Sequence, residues 1–456
     1  EELRRMSHAL VPVRFPVPAV RGWLVALALA ALAACASPPP SPRPAQEPAP
    51  AVTEPEPEPA VTEPEPEPEP VEEETPRVAE PEAPEPEAPV PETEDEGSWA
   101  QRTLEELTLR EKVGQMIMPW VIGDYAPEGT AAHDRTAGYV EEGVGGLIMS
   151  VGSPTEVAAK LNDLQRHARH PLLVAADLET GAGFRFRGAV QMPGNIELGG
   201  ATDFPSLMAV GATGEAGLAY EMGRITALEA RALGVHVPCA PGLAVNNHPD
   251  NPIINVRSFG GDPALVSTLG ASFVRGVQEH GAIATGKHFP GHGDTGVDSH
   301  LELPTILYDR ARMELVELRP FRAAVEAGMG GMMTAHITVP SLNGGDGDPA
   351  TLSPEVLTDL LRVDMGFEGL VFTDAMDMRA ISGRLGAGEA AVQAVEAGAD
   401  VILMPPSVTA VMEGILDAVC SGRLPEARID RSVLRLLETK EELGLHRTRT
   451  VDLDRI

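Results

Sequence analysis

The chain has 456 residues, 43% of them hydrophobic, which is enough apolar material for a large core. Its net charge of −33 is uneven, because residues 36–97 hold nineteen acidic side chains against two arginines. Such a balance argues against nucleic acid as a partner, since phosphate binding needs a basic footprint. Three cysteines, Cys35, Cys239 and Cys420, are too few for a disulfide framework. Cys239 and Cys420 each sit in an apolar context and read as two buried thiols.

The first 34 residues read as an address rather than as structure. Translation is expected to start at Met6 or further upstream, and residues 12–34 then form a signal peptide. Arg14 and Arg21 supply its basic flank, and 23–32 an apolar stretch too short to span a bilayer. The stretch runs into Leu32-Ala33-Ala34-Cys35, which resembles a bacterial lipobox. That resemblance implies lipidation at Cys35, an extracytoplasmic location and membrane contact through the lipid. With Ala36 where an aspartate would signal inner-membrane retention, the outer membrane of a Gram-negative cell is the expected site. An ordinary signal peptide with an incidental cysteine is the other reading. From 35 to 97, Pro-Glu and Ala-Pro repeats leave too few apolar side chains to offset ordering, so a disordered, extended tether is expected.

Residues 98–446 have a globular composition, with 447–456 as a tail. An apolar run at 115–120 comes first, without the Gly-x-Gly-x-x-Gly of a dinucleotide-binding unit. A second run, 146–151, leads into a helical pattern at 155–168, and a third, 172–177, precedes the alanine-rich helix 215–233. The fourth run is 234–238. Asp262-Pro263, an N-cap followed by proline at the first helical position, then opens helix 264–279. The fifth run, 282–286, enters a loop broken by glycine and proline before helix 310–327. Runs at 331–336, 370–374 and 400–405 are each followed by a helix, at 354–361, 388–397 and 409–420. All eight runs are continuous rather than alternating, as parallel strands covered on both faces should be. Their alternation with helices predicts a single (β/α)8 TIM barrel of the α/β class, with a doubly wound open sheet as the alternative.

A barrel carries its chemistry where strands end at their C-terminal side. Asp177 and Glu179 fall there after the third run, and Asp177, with Arg185 on the loop beyond, suits hydrogen bonding to sugar hydroxyls. The segment Lys287-His288-Phe289-Pro290-Gly291-His292-Gly293-Asp294-Thr295, continuing to Asp298-Ser299-His300, reads as a shaped loop after the fifth run. Asp298 and His300 are two apart and project to one side of an extended backbone. A carboxylate beside an imidazole fixes its tautomer, so the pair suits general acid and base work. Asp374, delivered by Val371-Phe372-Thr373, suits a nucleophile or an electrostatic stabiliser of an oxocarbenium-like transition state.

These segments, with Arg257-Ser258-Phe259-Gly260 and Leu107-Thr108-Leu109-Arg110-Glu111-Lys112-Val113-Gly114-Gln115-Met116, resemble glycoside hydrolase family 3, and more narrowly its bacterial β-N-acetylhexosaminidase branch. The resemblance implies a retaining exo-β-N-acetylglucosaminidase, active on peptidoglycan fragments or chitin-type oligosaccharides. It needs no cofactor and no metal, and is expected to be a monomer. Asp374 would be the nucleophile, His300 the acid/base with Asp298 as its partner. Asp177, Arg185, Arg257, Lys287 and His288 would bind the terminal sugar. One departure stands out: Glu179-Thr180-Gly181 replaces the family's Glu-Gly-Gly, and Thr180 would narrow the sugar pocket or alter its loop.

Blander roles compete at several positions. Asp377 reads first as a helix cap, His292 as a shaper of its turn and Trp120 as rim or core packing, while His336 is equally a pocket or a core histidine. A zinc site is disfavoured because His288 and His292 lie across Pro290-Gly291 rather than on one helical face. A β-glucosidase or glycoside phosphorylase of the same family is the competing enzyme reading. A non-catalytic, envelope-anchored carbohydrate-binding lipoprotein is the competing reading from another class.

Overall fold

The structure, a computed structural model, describes residues 97–190, 196–345 and 347–456. The expected signal segment, Cys35 and the Pro/Glu-rich tether lie outside the described residues. The strands are β1 (Ile117–Met118), β2 (Trp120–Ile122), β3 (Gly146–Ser150), β4 (Leu173–Ala176), β5 (Arg187–Val190), β6 (Ile196–Gly200), β7 (Val237–Pro238), β8 (Thr285–Phe289), β9 (Gly331–Thr334), β10 (Leu370–Phe372) and β11 (Ile402–Leu403).

Each of the eight apolar runs contains or adjoins a parallel strand. The order β2-β3-β4-β7 is parallel throughout, as are β8-β9-β10 and the pair β1-β11. Main-chain hydrogen bonds continue between these groups. Ile283 N–H donates to His236 O at 2.9 Å and Thr285 N–H to Ala240 O at 2.9 Å, next to β7 and β8. Thr373 N–H donates to Val401 O at 3.0 Å, and Ile402 N–H to Met116 O at 2.8 Å. Strand side chains such as Leu147, Val174, Met332, Val371 and Ile402 are buried, as continuous apolar strands with covered faces require.

Helices occupy the intervals. Pro154–His167, Pro263–Gln278, Ala387–Ala397 and Val408–Cys420 lie where the 3.6-residue pattern places them, and Asp262 caps its helix by accepting from Ala264 N–H at 2.9 Å. The expected helix 310–327 is instead two, Arg310–Leu315 and Arg319–Glu326, with Pro320 in the first turn of the second. Among the described residues, two helices precede β1, each opened by a capping box, Ser98 with Gln101 and Thr108 with Glu111. The last helix, Glu426–Glu442, buries Ile429, Val433, Leu436 and Leu437. It is tied down by Asp400, a wholly buried carboxylate that accepts from Ser432 Oγ and Arg362 Nη2, each at 2.5 Å. β5 and β6 form an antiparallel hairpin that no alternation in the sequence announced. Cys239 is a buried thiol as expected, but Cys420, at a helix end, is exposed; both are free.

The fifth strand also corrects the reading of the histidine segment. β8 extends to Phe289, so Lys287 and His288 are strand residues rather than loop residues. Both are buried polar side chains, and ion pairing with Asp177 and Glu179 makes the burial of Lys287 tolerable.

Candidate active site

A cavity of about 410 Å³ opens at the C-terminal ends of the parallel strands. Its walls come from β2 (Trp120), β3 (Ile148), β8 (Lys287, His288), β9 (Met333) and β11 (Leu403), and from the segments after β4 and β10. Seven of the eight residues singled out in the sequence line it: Asp177, Arg185, Arg257, Lys287, His288, His300 and Asp374. The eighth, Asp298, bonds to His300.

One end of the cavity is an ionic cluster. Lys287 Nζ donates to Asp177 Oδ1 at 2.6 Å and lies 2.8 Å from Glu179 Oε1. Arg257 clasps the Glu179 carboxylate with two parallel bonds, 2.7 Å from Nη2 and 2.8 Å from Nε. Arg185 Nη2 donates to Asp177 Oδ2 at 2.9 Å, and its guanidinium lies 4.8 Å from the Phe184 ring centroid. Burial works to raise the pKa of both carboxyls, but Lys287 reverses it, helped by Arg185 at Asp177 and Arg257 at Glu179. Asp177 ends below its ordinary range, and Glu179 falls to about 2. Burial likewise depresses Lys287, yet the two carboxylates outweigh it and hold the ammonium charged. His288 is pushed well below its ordinary value by burial, then by Arg257 and Lys287, so its ring is neutral. Two buried atoms here have no partner, Arg185 Nε and His288 Nδ1. A ligand rich in hydroxyls meets acceptors, donors and unspent hydrogen-bonding capacity in one place.

Asp374 and His300 line the same cavity. Asp374 N–H donates to Thr334 Oγ1 at 3.2 Å, and Ala375 N–H donates to Asp374 Oδ1 at 2.8 Å, which fixes one carboxylate oxygen and leaves Oδ2. His300 is bound to Asp298 Oδ1 twice, through its main-chain N–H at 2.8 Å and its ring Nδ1 at 2.9 Å. With Nδ1–H given to the carboxylate, Nε2 is the free ring nitrogen. The loop before it is folded tightly: a Cβ on Gly293 would lie 1.7 Å from Val245 O, and Gly291 has φ 123°.

The other candidates resolve differently from one another. His336 is a satisfied core histidine: Nε2–H donates to Ala375 O at 3.0 Å, and Nδ1 lies 2.8 Å from Thr351 Oγ1. Asp377 does not cap a helix; the next helix, Arg379–Ser382, has Met378 at its N-cap, and Asp377 lines the cavity. Trp120, 44% exposed, lines the rim with Phe184. Thr180 turns away from the cavity, its hydroxyl donating to Asp203 Oδ1 at 2.8 Å, so it does not narrow the pocket. Glu179 is the residue the sequence undervalued. It stands two after Asp177 at a strand end, a spacing that puts both carboxylates on one side. Among the described residues, no group of three or more His, Cys, Asp or Glu side chains is arranged to hold a metal ion.

Residues 108–439 match the model of the glycosyl hydrolase family 3 N-terminal domain. The chain belongs to glycoside hydrolase family 3. Over 330 residues it is 34% identical to beta-hexosaminidase A of Pseudoalteromonas piscicida, covering 66% of this chain and 54% of that one. Over 348 residues it is 32% identical to the beta-hexosaminidase LpqI of Mycobacterium tuberculosis, covering 73% and 83%. Among solved structures it is similar to a family 3 beta-N-acetylglucosaminidase from a Paenibacillus species, with a TM-score of 0.66, 44% identity and coverage of 74% and 63%. The chain thus spans little more than half the length of the Pseudoalteromonas relative. Within the family 3 domain, the ionic cluster and the Asp374–His300 wall face the same α/β-domain cavity.

Proposed function

We propose that this protein is a retaining exo-β-N-acetylglucosaminidase. The observation that carries the proposal is the cavity itself, which is lined both by the buried ionic cluster of Asp177, Glu179, Arg257 and Lys287 and by Asp374 and His300. The terminal sugar would sit on Asp177, Arg185, Arg257, Lys287 and His288, with Glu179 keeping Arg257 and Lys287 charged and in place. Asp374 Oδ2 attacks the anomeric carbon while His300 Nε2–H protonates the departing glycosidic oxygen, breaking the bond and leaving a glycosyl ester. His300, now neutral, takes a proton from water; the water oxygen displaces the Asp374 carboxylate and releases the sugar in the β configuration. Asp298 holds the Nδ1 tautomer and stabilises the imidazolium. Relatives bearing the names beta-hexosaminidase and beta-N-acetylglucosaminidase support the choice of sugar.

The finer readings belong to the same proposal. A closed (β/α)8 barrel over 98–446 is supported by the hydrogen bonds that join β7 to β8, β10 to β11 and β11 to the residues before β1. A lipid anchor at Cys35, a Pro/Glu-rich tether and an extracytoplasmic site of action rest on the sequence, and they suit a monomer acting on peptidoglycan fragments or chitin-type oligosaccharides.

The test is aryl release from an aryl β-N-acetylglucosaminide in phosphate-free buffer, beside the matching β-glucoside and an Asp374→Ala control. Hydrolysis of the N-acetylglucosaminide, lost by at least about 1,000-fold in the variant, is expected. Turnover that requires phosphate would make the protein a phosphorylase. Binding without turnover of any sugar would leave a carbohydrate-binding role.

A further inference from the structure

His300 rides on an exposed loop. Between residues 296 and 302 one side chain is buried, that of Ser299, at 1% exposure, whereas the His300 side chain is 57% exposed. Asp298 orients the imidazole but belongs to the same loop, so it cannot fix the loop to the domain. Ser299 can. Its hydroxyl lies 2.9 Å from Nε2 of His292, itself 1% exposed, and the Nδ1 of that ring lies 2.8 Å from Thr295 Oγ1. The Thr295 hydroxyl donates to His292 O at 3.1 Å. Nδ1–H of His292 therefore donates to Thr295, and Nε2 accepts from Ser299 O–H. Burial keeps this ring neutral, with its pKa lowered to about 4.

The receiving side is rigid. Asn251, 2% exposed and on the segment after β7, donates from Nδ2 to His292 O and Gly293 O, both at 3.0 Å. Its Oδ1 accepts from Ile253 N–H at 2.9 Å and Ile254 N–H at 2.8 Å. A longer contact, Arg379 N–H to His300 O at 3.4 Å, touches the loop from the Asp374 side.

We infer that Ser299 and His292 are positioning residues for His300: their hydrogen bond clasps the exposed loop to the buried Asn251 scaffold and sets where His300 meets the scissile bond. This rests on the glycosidase reading above. Neither residue exchanges a proton with substrate. Their effect falls chiefly on the proton transfer, because Asp374 is held by a different set of bonds: its carboxylate accepts from Ala375 N–H, and its main-chain N–H donates to Thr334 Oγ1.

The test measures kcat/KM for the full-length protein and its Ser299→Ala variant on aryl β-N-acetylglucosaminides whose phenols range from strongly to weakly acidic. A weakly acidic phenol needs a proton to leave, and a strongly acidic one hardly does. Misplacing an acid by an ångström costs up to about 100-fold. Ser299→Ala is expected to lose about 10–100-fold on the poor leaving group and less than about threefold on the good one. Ser299→Thr, which keeps the hydroxyl, is expected to recover most of the loss. His292→Gln, a second break in the same clasp, is expected to show the same leaving-group dependence and serves if Ser299→Ala does not fold. Equal losses on both leaving groups, or no loss, would overturn the inference. Inertness of the wild type on every substrate would overturn the glycosidase reading itself, and the clasp with it.

Discussion

Lys440 offers a measurement of how this fold tolerates a buried charge. The side chain is 0% exposed on the inner face of helix Glu426–Glu442, and its Nζ makes one hydrogen bond, 2.6 Å to Gln115 Oε1. Two histidines feel its charge, His236, which is buried, and His170, which is half-buried. His170 is pushed down by burial and then by Lys440, and His236 by burial, Arg231 and Lys440. Burial lowers Lys440 itself from an ordinary 10.5 to about 7. The folded state therefore holds this proton less tightly than the unfolded chain does. The destabilisation is complete below about pH 7 and is relieved as pH rises toward 10.5, and 3.5 units correspond to about 5 kcal/mol. Lys440→Met removes the charge at nearly constant shape, while leaving Gln115 Oε1 unpaired at about 1–3 kcal/mol. A net gain of about 3 kcal/mol is expected at pH 7. Urea denaturation of wild type and variant at pH 7.5 and 9.5 isolates the lysine, because other groups cancel in the difference. The variant's advantage should shrink by roughly 2–3 kcal/mol over that interval. A difference that stays constant with pH would refute the reasoning.

Two other substitutions probe the cavity. Glu179→Gln leaves Lys287 and Arg257 without their shared carboxylate. A loss of about 3–5 kcal/mol is expected at pH 7, together with a raised KM. Because folding depresses this carboxyl from 4.5 to about 2, the wild type's advantage should fade as pH falls below about 4.5, as denaturant midpoints at pH 7 and pH 4 would show. Thr180→Gly is expected to change KM by less than about threefold, since the threonine faces Asp203; a tenfold drop in KM would mean that Thr180 does constrict the sugar.

The sequence announced most of what positions the site, because continuous apolar runs have few alternatives to buried parallel strands. Runs at 146–151 and 331–336 contain β3 and β9, and the glycine- and proline-broken segment before His300 is irregular as read. What escaped was polar burial. Lys287 lies in β8 because Asp177 and Glu179 make the burial of its ammonium tolerable, and no local pattern reports a partner 110 residues away. Helix Glu426–Glu442 escaped for a similar reason: its many charged residues mask a narrow apolar face that packs on the domain. His336 and Asp377 could not be sorted from sequence, since one ends against Thr351 and the other in the cavity, and both outcomes depend on loops meeting across the strand ends.

The claim most in need of a direct test is that Asp374 becomes covalently glycosylated. A 5-fluoro-N-acetyl-β-glucosaminyl fluoride has a good leaving group, and its electron-poor ring slows the hydrolysis of the ester, so the intermediate should accumulate. Mass spectrometry of the intact protein and of its peptides after this reaction is expected to show one sugar added, on the peptide carrying Asp374. An adduct on another residue, or continued turnover of N-acetylglucosaminides with no adduct at all, would contradict it.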